Sequence, residues 1–305
     1  MESFFSILIS TKNRKDDLFY TLNSIFSKIK SNNYEVVVCD DASTDGTSEM
    51  ITENFPKVIL QKNKKSRSYI YCRNKMLNET KADFAISLDD DANFLTENLF
   101  EIIESFFNQN PKCGLIAARI YWDKKEPTDK SCLEKNIKVK SFIGCGHVWR
   151  MKAWQEIPNY PEWFEFYGEE SFASFQLFKR QWDIHYVPDL LIHHRVDLKQ
   201  RAKLKAEFAN RYRRAIRADW YNYFLFFPLN IIPRKIGYSL WMQVKGKIFK
   251  GNFNVIFPLS LAIFDLILSI PRLYKFRNTL TSEQYKIYKK LNDAKIYWKK
   301  ENENI

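Results

Sequence analysis

The chain lacks the signatures that mark most nucleotide- and metal-binding folds. It has no G-x-G-x-x-G fingerprint and no P-loop, so both common glycine-rich phosphate cradles are excluded. Any bound phosphate must be neutralised by a metal ion and cationic side chains instead. The five cysteines, Cys39, Cys72, Cys113, Cys132 and Cys145, are odd in number, scattered and without a C-x-x-C pair. Neither a zinc site nor a disulfide framework is indicated, and a reducing cytoplasm fits. There is no repeat and no low-complexity segment. The N-terminus lacks the charged-then-apolar layout of a secretory leader, because Phe4 to Ile9 is only strand-length and runs into a polar loop. The apolar run Val255 to Ile270 is broken by Pro258 and Asp265. It falls short of the roughly 20 residues a spanning helix needs.

What is present begins with Phe84-Ala85-Ile86-Ser87-Leu88-Asp89-Asp90-Asp91. An apolar, β-prone run ends in three consecutive carboxylates. The run predicts a buried strand, and ligands of open α/β sheets bind beyond the carboxyl ends of the strands. Adjacent carboxylates repel, and a bound cation relieves them. Hard oxygen ligands suit Mg²⁺ or Mn²⁺ shared with substrate phosphates. Taken alone, the same residues also read as a solvated acidic turn.

The preceding residues alternate between strand and helix patterns. Phe4 to Thr11 predicts a first strand, ending at the polar turn Ser10-Thr11-Lys12-Asn13-Arg14. Asp16 or Asp17 would cap the next helix, in which Leu18, Leu22, Ile25, Phe26 and Ile29 repeat at helical spacing. Tyr34 to Cys39 predicts a second strand, followed by Asp40-Asp41-Ala42-Ser43-Thr44-Asp45-Gly46-Thr47 and a helix to about Asn54. Val58 to Leu60 is a third strand. The basic loop Lys62 to Arg67 then leads to a helix with Arg73 and Asn74. This spacing predicts an α/β fold with a mostly parallel central sheet and helices on both faces.

Later features are less regular. After a helix over about Thr96 to Asn108, Cys113 to Trp122 is a strand. Ile143-Gly144-Cys145-Gly146-His147-Val148 reads as a small-residue loop that lets backbone approach a ligand, or as a plain tight turn. Gly168-Glu169-Glu170 opens a helix, where the carboxylates either cap it through the dipole or supply a base. Ile184 to Ile192 is a strand ending in His193-His194. Arg195 to Arg217 is predicted helical and strongly basic, Trp220 to Ile232 is aromatic, and Lys286 to Ile305 is a charged helix. Aromatic runs beside Lys/Arg clusters read as helices lying in a membrane interface; a helical subdomain packed on the body is the competing reading. The net charge of +12 suggests a polyanionic partner.

Four motifs together resemble the inverting family-2 glycosyltransferases of the GT-A fold, of the bacterial, membrane-associated type. They are Ile7-Leu8-Ile9-Ser10-Thr11 with Asn13-Arg14, Val37 to Thr47, Cys72-Arg73-Asn74 with Leu88-Asp89-Asp90-Asp91, and Gly168-Glu169-Glu170. The resemblance covers residues 4 to 194 well and the tail more loosely. It implies a catalytic domain over 1–197 and a basic, aromatic helical region over 198–305. Nucleotide binding would fall to Ser10, Thr11, Asn13, Arg14, Asp40, Asp41, Arg73 and Asp90. Asp89, Asp91 and His194 would hold Mn²⁺ or Mg²⁺, with His193 the alternative histidine. Glu170 would be the catalytic base, with Glu169 the alternative. Gly144, Gly146, His147 and Trp122 would lie near the donor or acceptor sugar.

The implied activity is metal-dependent transfer of a sugar from a UDP- or dTDP-sugar to a lipid-linked or polysaccharide acceptor. The enzyme would sit peripherally on the inner face of the membrane, held to anionic lipid by its C-terminal region. Loading of polyprenyl phosphate is the related alternative. A non-catalytic basic protein on the same fold is the alternative from another class. Nucleic acid is not the expected partner, because a polyanion-binding module gains nothing from carboxylates concentrated at its pocket.

Overall fold

A computed structural model describes residues 3–196 and 205–295. Strand β1 (Phe5–Thr11) leads to α1 (Lys15–Lys28), β2 (Tyr34–Asp40) to α2 (Thr47–Asn54), and β3 (Val58–Lys62) to α3 (Tyr69–Glu79). The acidic stretch ends β4 (Phe84–Asp89). The body is completed by β5 (Ala92–Phe94), α4 (Leu99–Gln109), β6 (Cys113–Trp122), β7 (Ile137–Val139), β8 (Gly146–Arg150), α5 (Met151–Gln155), α6 (Glu169–Lys179) and β9 (Asp183–His194). Successive residues of the central strands enter two different cores. Ile7, Ile9, Val36, Val38, Ile86 and Leu88 pack on one side, and Leu8, Val37, Cys39 and Ala85 on the other. Burial on both faces is what an unalternating apolar strand demands.

The strands form one sheet in the order β3-β2-β1-β4-β8-β6-β9-β5, with β7 added on β9. The first four strands are parallel, and their register sets Thr11 level with Asp40 and Ser10 level with Asp89. Beyond β4 the sheet is mixed rather than mostly parallel. Strand β8 runs antiparallel between β4 and β6, while β6 and β9 are parallel. Part of the loop expected at Ile143 to Val148 is therefore strand. The reason is packing: a Cβ at Gly146 would lie 2.4 Å from Ile192 Cδ1, so the glycine admits a neighbouring strand's side chain rather than a ligand.

Other boundaries shift for local reasons. Asp16 and Asp17 sit inside the first turn of α1 and do not cap it. Asp45 accepts from the Lys15 backbone N–H instead, at 3.1 Å. Arg195 is in extended chain after β9, where it donates to Asn93 and Thr21. Lys199, Arg201 and Lys203 lie outside the described residues.

The C-terminal region contributes α7 (Lys205–Phe226), α8 (Ile232–Gly246), α9 (Ile256–Lys275) and α10 (Ser282–Lys290). Helix α10 ends well before Ile305; residues 296–305 lie outside the description. The aromatic run expected at a membrane interface is mostly internal. Trp220, Tyr221, Leu225, Phe226 and Phe227 are buried, and Phe226 stacks on Phe175 of α6 at 4.8 Å between ring centres. Nor is the second apolar run broken. Pro258 falls in the first turn of α9, where its missing N–H costs nothing, and Asp265 is neutralised by Arg213 and Arg217. Helix α9 is thus 20 residues long. With the turn before it, Phe253–Lys275 is long and apolar enough to cross a membrane by length and composition. One side, including Leu259, Ala262, Leu266 and Leu273, is buried against the rest of the chain. Phe257, Phe264, Ile267 and Leu268 are exposed.

Because the tail and the α/β body share this core, they should unfold together. Phe226→Ala is expected to cost about 3–5 kcal/mol in urea denaturation, with one transition seen by both fluorescence and circular dichroism. Two separated transitions would show instead that the tail folds on its own.

Candidate active site

A cleft of about 750 Å³ opens beyond the carboxyl ends of the parallel strands. Ser10, Thr11, Arg14, Asp41, Arg73, Asp89, Asp90, Trp122, Gly144, Glu169, Glu170 and His194 line it. Residues from nearly the whole length of the body therefore converge on one space. Asp91 is buried just behind the wall. Asn13 instead braces the neighbouring turn, accepting from the Thr44 backbone N–H at 2.7 Å. Asp40 does the same for the turn at Ser43, accepting from its N–H at 2.8 Å. Gly146 and His147, on β8, are not among the residues that line the cleft. His147 is fully buried, its ring tilted against Phe142 at 4.6 Å between centres, and burial with the nearby Arg73 charge pushes its pKa well down, so it is neutral.

The three aspartates are answered by cations from separate elements. Arg14 places Nε 3.0 Å from Asp90 and Nη2 2.7 Å from Asp91. Thr11 donates its hydroxyl to Asp90 at 2.8 Å. Burial pushes Asp90 up to about 8; Arg14 opposes this, and the neighbouring Asp91 charge adds to it. Asp91 moves the other way. Burial would raise it, but the hydrogen bond and charge of His194, with Arg14 and Arg195, hold it down at about 2. Adjacent carboxyls thus divide into one that keeps its proton and one that gives it up.

His194 lies on β9, which the sheet order brings beside this cluster. Its Nε2 is 2.9 Å from Asp91 Oδ1 and 3.9 Å from Asp89 Oδ2. One ligand atom from each of Asp89, Asp91 and His194 lies within 4.8 Å of the others. Two carboxylates and an imidazole converging this closely fit a divalent ion. The strand alternation turns His193 elsewhere, 2.7 Å from the carbonyl of Asp123. Trp122 sets its ring edge-on to His194 at 4.7 Å between centres.

Across the cleft, Arg73 links the acids to the start of α6. Its Nη2 donates to Asp89 at 2.7 Å and to the Gly144 carbonyl at 2.9 Å, and its Nη1 to Glu169 at 3.4 Å. Glu169 is buried and also accepts from the Tyr69 hydroxyl at 2.5 Å. Glu170 is half-buried and packs over Gly144, where a Cβ would come within 2.4 Å of its Oε1. Burial and the adjacent Glu169 charge raise the Glu170 pKa well above the usual carboxylate range. Gly168, at φ +84, turns the chain so that both glutamates enter the cleft.

A family model described as "Glycosyl transferase family 2" matches residues 6–179, more than half of the chain. The chain belongs to glycosyl transferase family 2. Among curated relatives, an uncharacterised glycosyltransferase YfnE of Bacillus subtilis is 30% identical over 43% of this chain and 35% of its own length. Escherichia coli WfaP, named as a UDP-Glc:alpha-D-GlcNAc-diphosphoundecaprenol beta-1,3-glucosyltransferase, is 32% identical over 31% of this chain and 38% of its own. The chain spans roughly a third of the length of these relatives. The fold is GT-A. Staphylococcus aureus TarS 1-349 with UDP superposes with a TM-score of 0.60 at 16% identity, over 90% of this chain and 83% of that one. A mannosyltransferase of Pyrobaculum calidifontis with GDP-Man and Mn²⁺ gives 0.56 at 17%, over 72% and 63%.

In this family-2 chain, Asp41 is fully engaged by its own neighbours. It accepts from the Asn63 side chain at 2.9 Å, the Ser66 hydroxyl at 2.7 Å, and the Arg67 and Ser68 N–H groups at 2.7 and 3.0 Å. Burial works to raise its pKa, and these bonds outweigh it and lower it. The cleft also holds residues that sequence reasoning missed. Tyr69 was readable, since it lies four residues before Arg73 on the same helix face. Lys12, Ser66, Glu165 and Arg214 had no such signal, because their approach is tertiary.

The raised Asp90 pKa predicts a pH effect on the metal-free protein. The folded state holds this proton to about pH 8, whereas an unfolded Asp releases it near pH 4. The stability it contributes is full below about pH 4 and is lost as pH rises through about 8. In EDTA, Asp90→Asn should therefore gain melting temperature over the original chain between pH 6 and 9. A constant difference across that range would contradict the assignment.

Proposed function

We propose that this glycosyltransferase is a metal-dependent, inverting enzyme. It transfers a sugar from a UDP- or dTDP-sugar to a hydroxyl of a lipid-linked or polysaccharide acceptor in cell-surface glycan synthesis. The observation that carries the reading is the division of one cleft into two acidic sites. Asp89, Asp91 and His194 form a metal-type cluster, and Glu170, with its raised proton affinity, lies at the other acidic site. Similarity to a relative named for a UDP-Glc donor and a diphosphoundecaprenol-linked acceptor supports the substrate class.

The roles follow from the chemistry of each group. Asp89, Asp91 and His194 would hold the ion, and the imidazole favours Mn²⁺ over Mg²⁺. When bound, the ion supplies positive charge to the leaving diphosphate. Lys12 and Arg14 line the cleft near these acids and offer further charge. Ser10, Thr11 and Arg73 frame the nucleotide, and Asp41 reads its base by exchanging one donor of its own loop for the ring N–H. Glu169 is buried with its Oε1 held by Tyr69 and Arg73, whereas Glu170 is half-buried with its proton affinity raised, and we assign Glu170 as the base. It accepts the acceptor hydroxyl's proton as oxygen attacks the anomeric carbon opposite the leaving diphosphate, and configuration inverts. A base must hold a proton readily near neutral pH, which is the direction in which burial moves Glu170.

We take residues 1–197 as the catalytic unit and 198–305 as the C-terminal region, whose described residues, 205–295, pack on it. Helix α9 has the length of a span but carries Asp265 in an ion-pair network with the body. It therefore rests in the cytoplasmic membrane interface, making the enzyme peripheral. Carbonate extraction separates this from a spanning polyprenyl-phosphate transferase, which would stay with the membrane.

The test is release of nucleoside diphosphate from a panel of UDP-, dTDP- and GDP-sugars with Mn²⁺, Mg²⁺ or EDTA. One donor should be cleaved, and EDTA or Asp91→Asn should abolish cleavage. Glu170→Gln should still bind nucleotide while turnover falls about 10²- to 10⁴-fold. Cleavage that persists in EDTA, or full activity in Glu170→Gln, would refute these roles.

A further inference from the structure

The basic groups around the cleft are not equally occupied. Among the described residues, Arg14 is spent on Asp17, Asp90 and Asp91. Arg73 is spent on Asp89, Gly144 and Glu169. Arg217 is buried and donates to the Phe164 carbonyl at 2.6 Å, to Glu165 at 3.2 Å and to Asp265 at 3.4 Å. Arg214 differs. It lines the cleft, and its ion pair among the described residues is a long one, Nε to Glu165 at 3.5 Å, with both side chains substantially exposed. Its two terminal nitrogens donate to no described residue. Because Arg217 already holds Glu165, Arg214 is not needed to fix that loop.

We propose that Arg214 anchors a second anion site in the cleft, one that takes the phosphate or diphosphate carried by the acceptor. The proposal rests on the transferase reading above and gives its acceptor a chemical class. The position decides between donor and acceptor. Donor phosphate belongs with the metal-type cluster, Lys12 and Arg14. Arg214 comes instead from α7 and meets Glu165, on the segment that leads directly into Gly168-Glu169-Glu170. An acceptor must lie on the side of the base that takes its proton, so an anion held there is the acceptor's. A guanidinium with a free fork is suited to phosphate oxygens. Helix α7 is also clamped to α9 through Arg213 and Asp265. The anion site and the exposed apolar side of α9 thus belong to one helix pair, as a lipid-linked diphosphate requires. A soluble sugar phosphate offers the same anion without the apolar part.

The experiment is calorimetric titration of the full chain, with saturating UDP and metal blocking the donor site. The probes are geranyl diphosphate, inorganic pyrophosphate and geraniol. Geranyl diphosphate should bind, and geraniol should not. Arg214→Ala should weaken binding about tenfold or more; Arg214→Lys, which keeps charge but loses the fork, should fall between. Weaker binding of pyrophosphate than of geranyl diphosphate assigns a lipid-linked source, and equal binding assigns a soluble phosphate; both support the anion site. Unchanged affinity in Arg214→Ala with a normal melting temperature would overturn it. So would geraniol binding as tightly as its diphosphate, or no binding of either diphosphate by the original chain. Donor hydrolysis by the same preparation separates the two readings. Hydrolysis without Arg214-dependent binding removes the anion site and leaves the transferase. Arg214-dependent binding without hydrolysis removes the transferase reading and its acceptor assignment.

Discussion

Three carboxyl groups on consecutive residues at the end of a buried strand are the constraint to which the rest of the cleft responds. Their mutual repulsion in a poorly solvated place cannot be left uncompensated. Compensation arrives from four directions. Arg14 comes from the turn after β1, Thr11 from the end of β1, Arg73 from α3, and His194 from the end of β9. Each can reach only because the sheet order sets β1 and β4 side by side and carries β9 back toward them. The outcome is asymmetric: Asp90 keeps its proton up to about pH 8, and Asp91 loses it at about 2. A divalent ion taking up Asp89 and Asp91 would replace the contact that Arg14 Nη2 makes with Asp91, leaving that end of the guanidinium for phosphate. The cations that answer these carboxyls are thus also those suited to meet a bound diphosphate.

The C-terminal helices are tied to the same chemistry. Asn222 donates to the Gly168 carbonyl at 3.0 Å, and Arg217 donates to the Phe164 carbonyl. These bonds bracket the segment from which Glu169 and Glu170 enter the cleft. A Cβ at Gly168 would also meet Ala218 of α7 at 2.7 Å. The tail therefore fixes the segment that leads into Glu169 and Glu170, as well as presenting an apolar side to its surroundings. Arg217 in turn is held by Asp265 of α9, so a displacement of the apolar helix is felt at that segment through one buried side chain.

Much of this was legible in the sequence because local pattern and global role coincide there. The apolar runs ending at Thr11, Asp40 and Asp89 are strands whose ends carry the chemistry, and Gly168-Glu169-Glu170 opens a helix as its residues suggest. What was not legible depended on partners distant in the chain. Gly146 reads as a loop glycine, but Ile192 and Ile120 fill the space a side chain would need. Trp220 and Phe226 read as interfacial aromatics, but both are buried, Trp220 donating to Ser239 of α8 and Phe226 stacking on Phe175 of α6. Asp265 reads as an interruption until Arg213 and Arg217 are set beside it. His193 and His194 are equivalent in sequence, and only strand alternation at the end of β9 separates them. Arg214 is one basic residue among many, and no periodicity distinguishes the one that lines the cleft.

The central claim is that the acidic cluster at the end of β4 is a metal site that exchanges Arg14 for a divalent ion when nucleotide binds. Its most direct test is anomalous diffraction from crystals of the protein grown with Mn²⁺ and UDP. The account predicts a manganese peak bounded by Asp89, Asp91 and His194, with the Arg14 side chain withdrawn from Asp91. A peak elsewhere, or nucleotide bound with Arg14 still paired to Asp91 and no manganese between these residues, would contradict it.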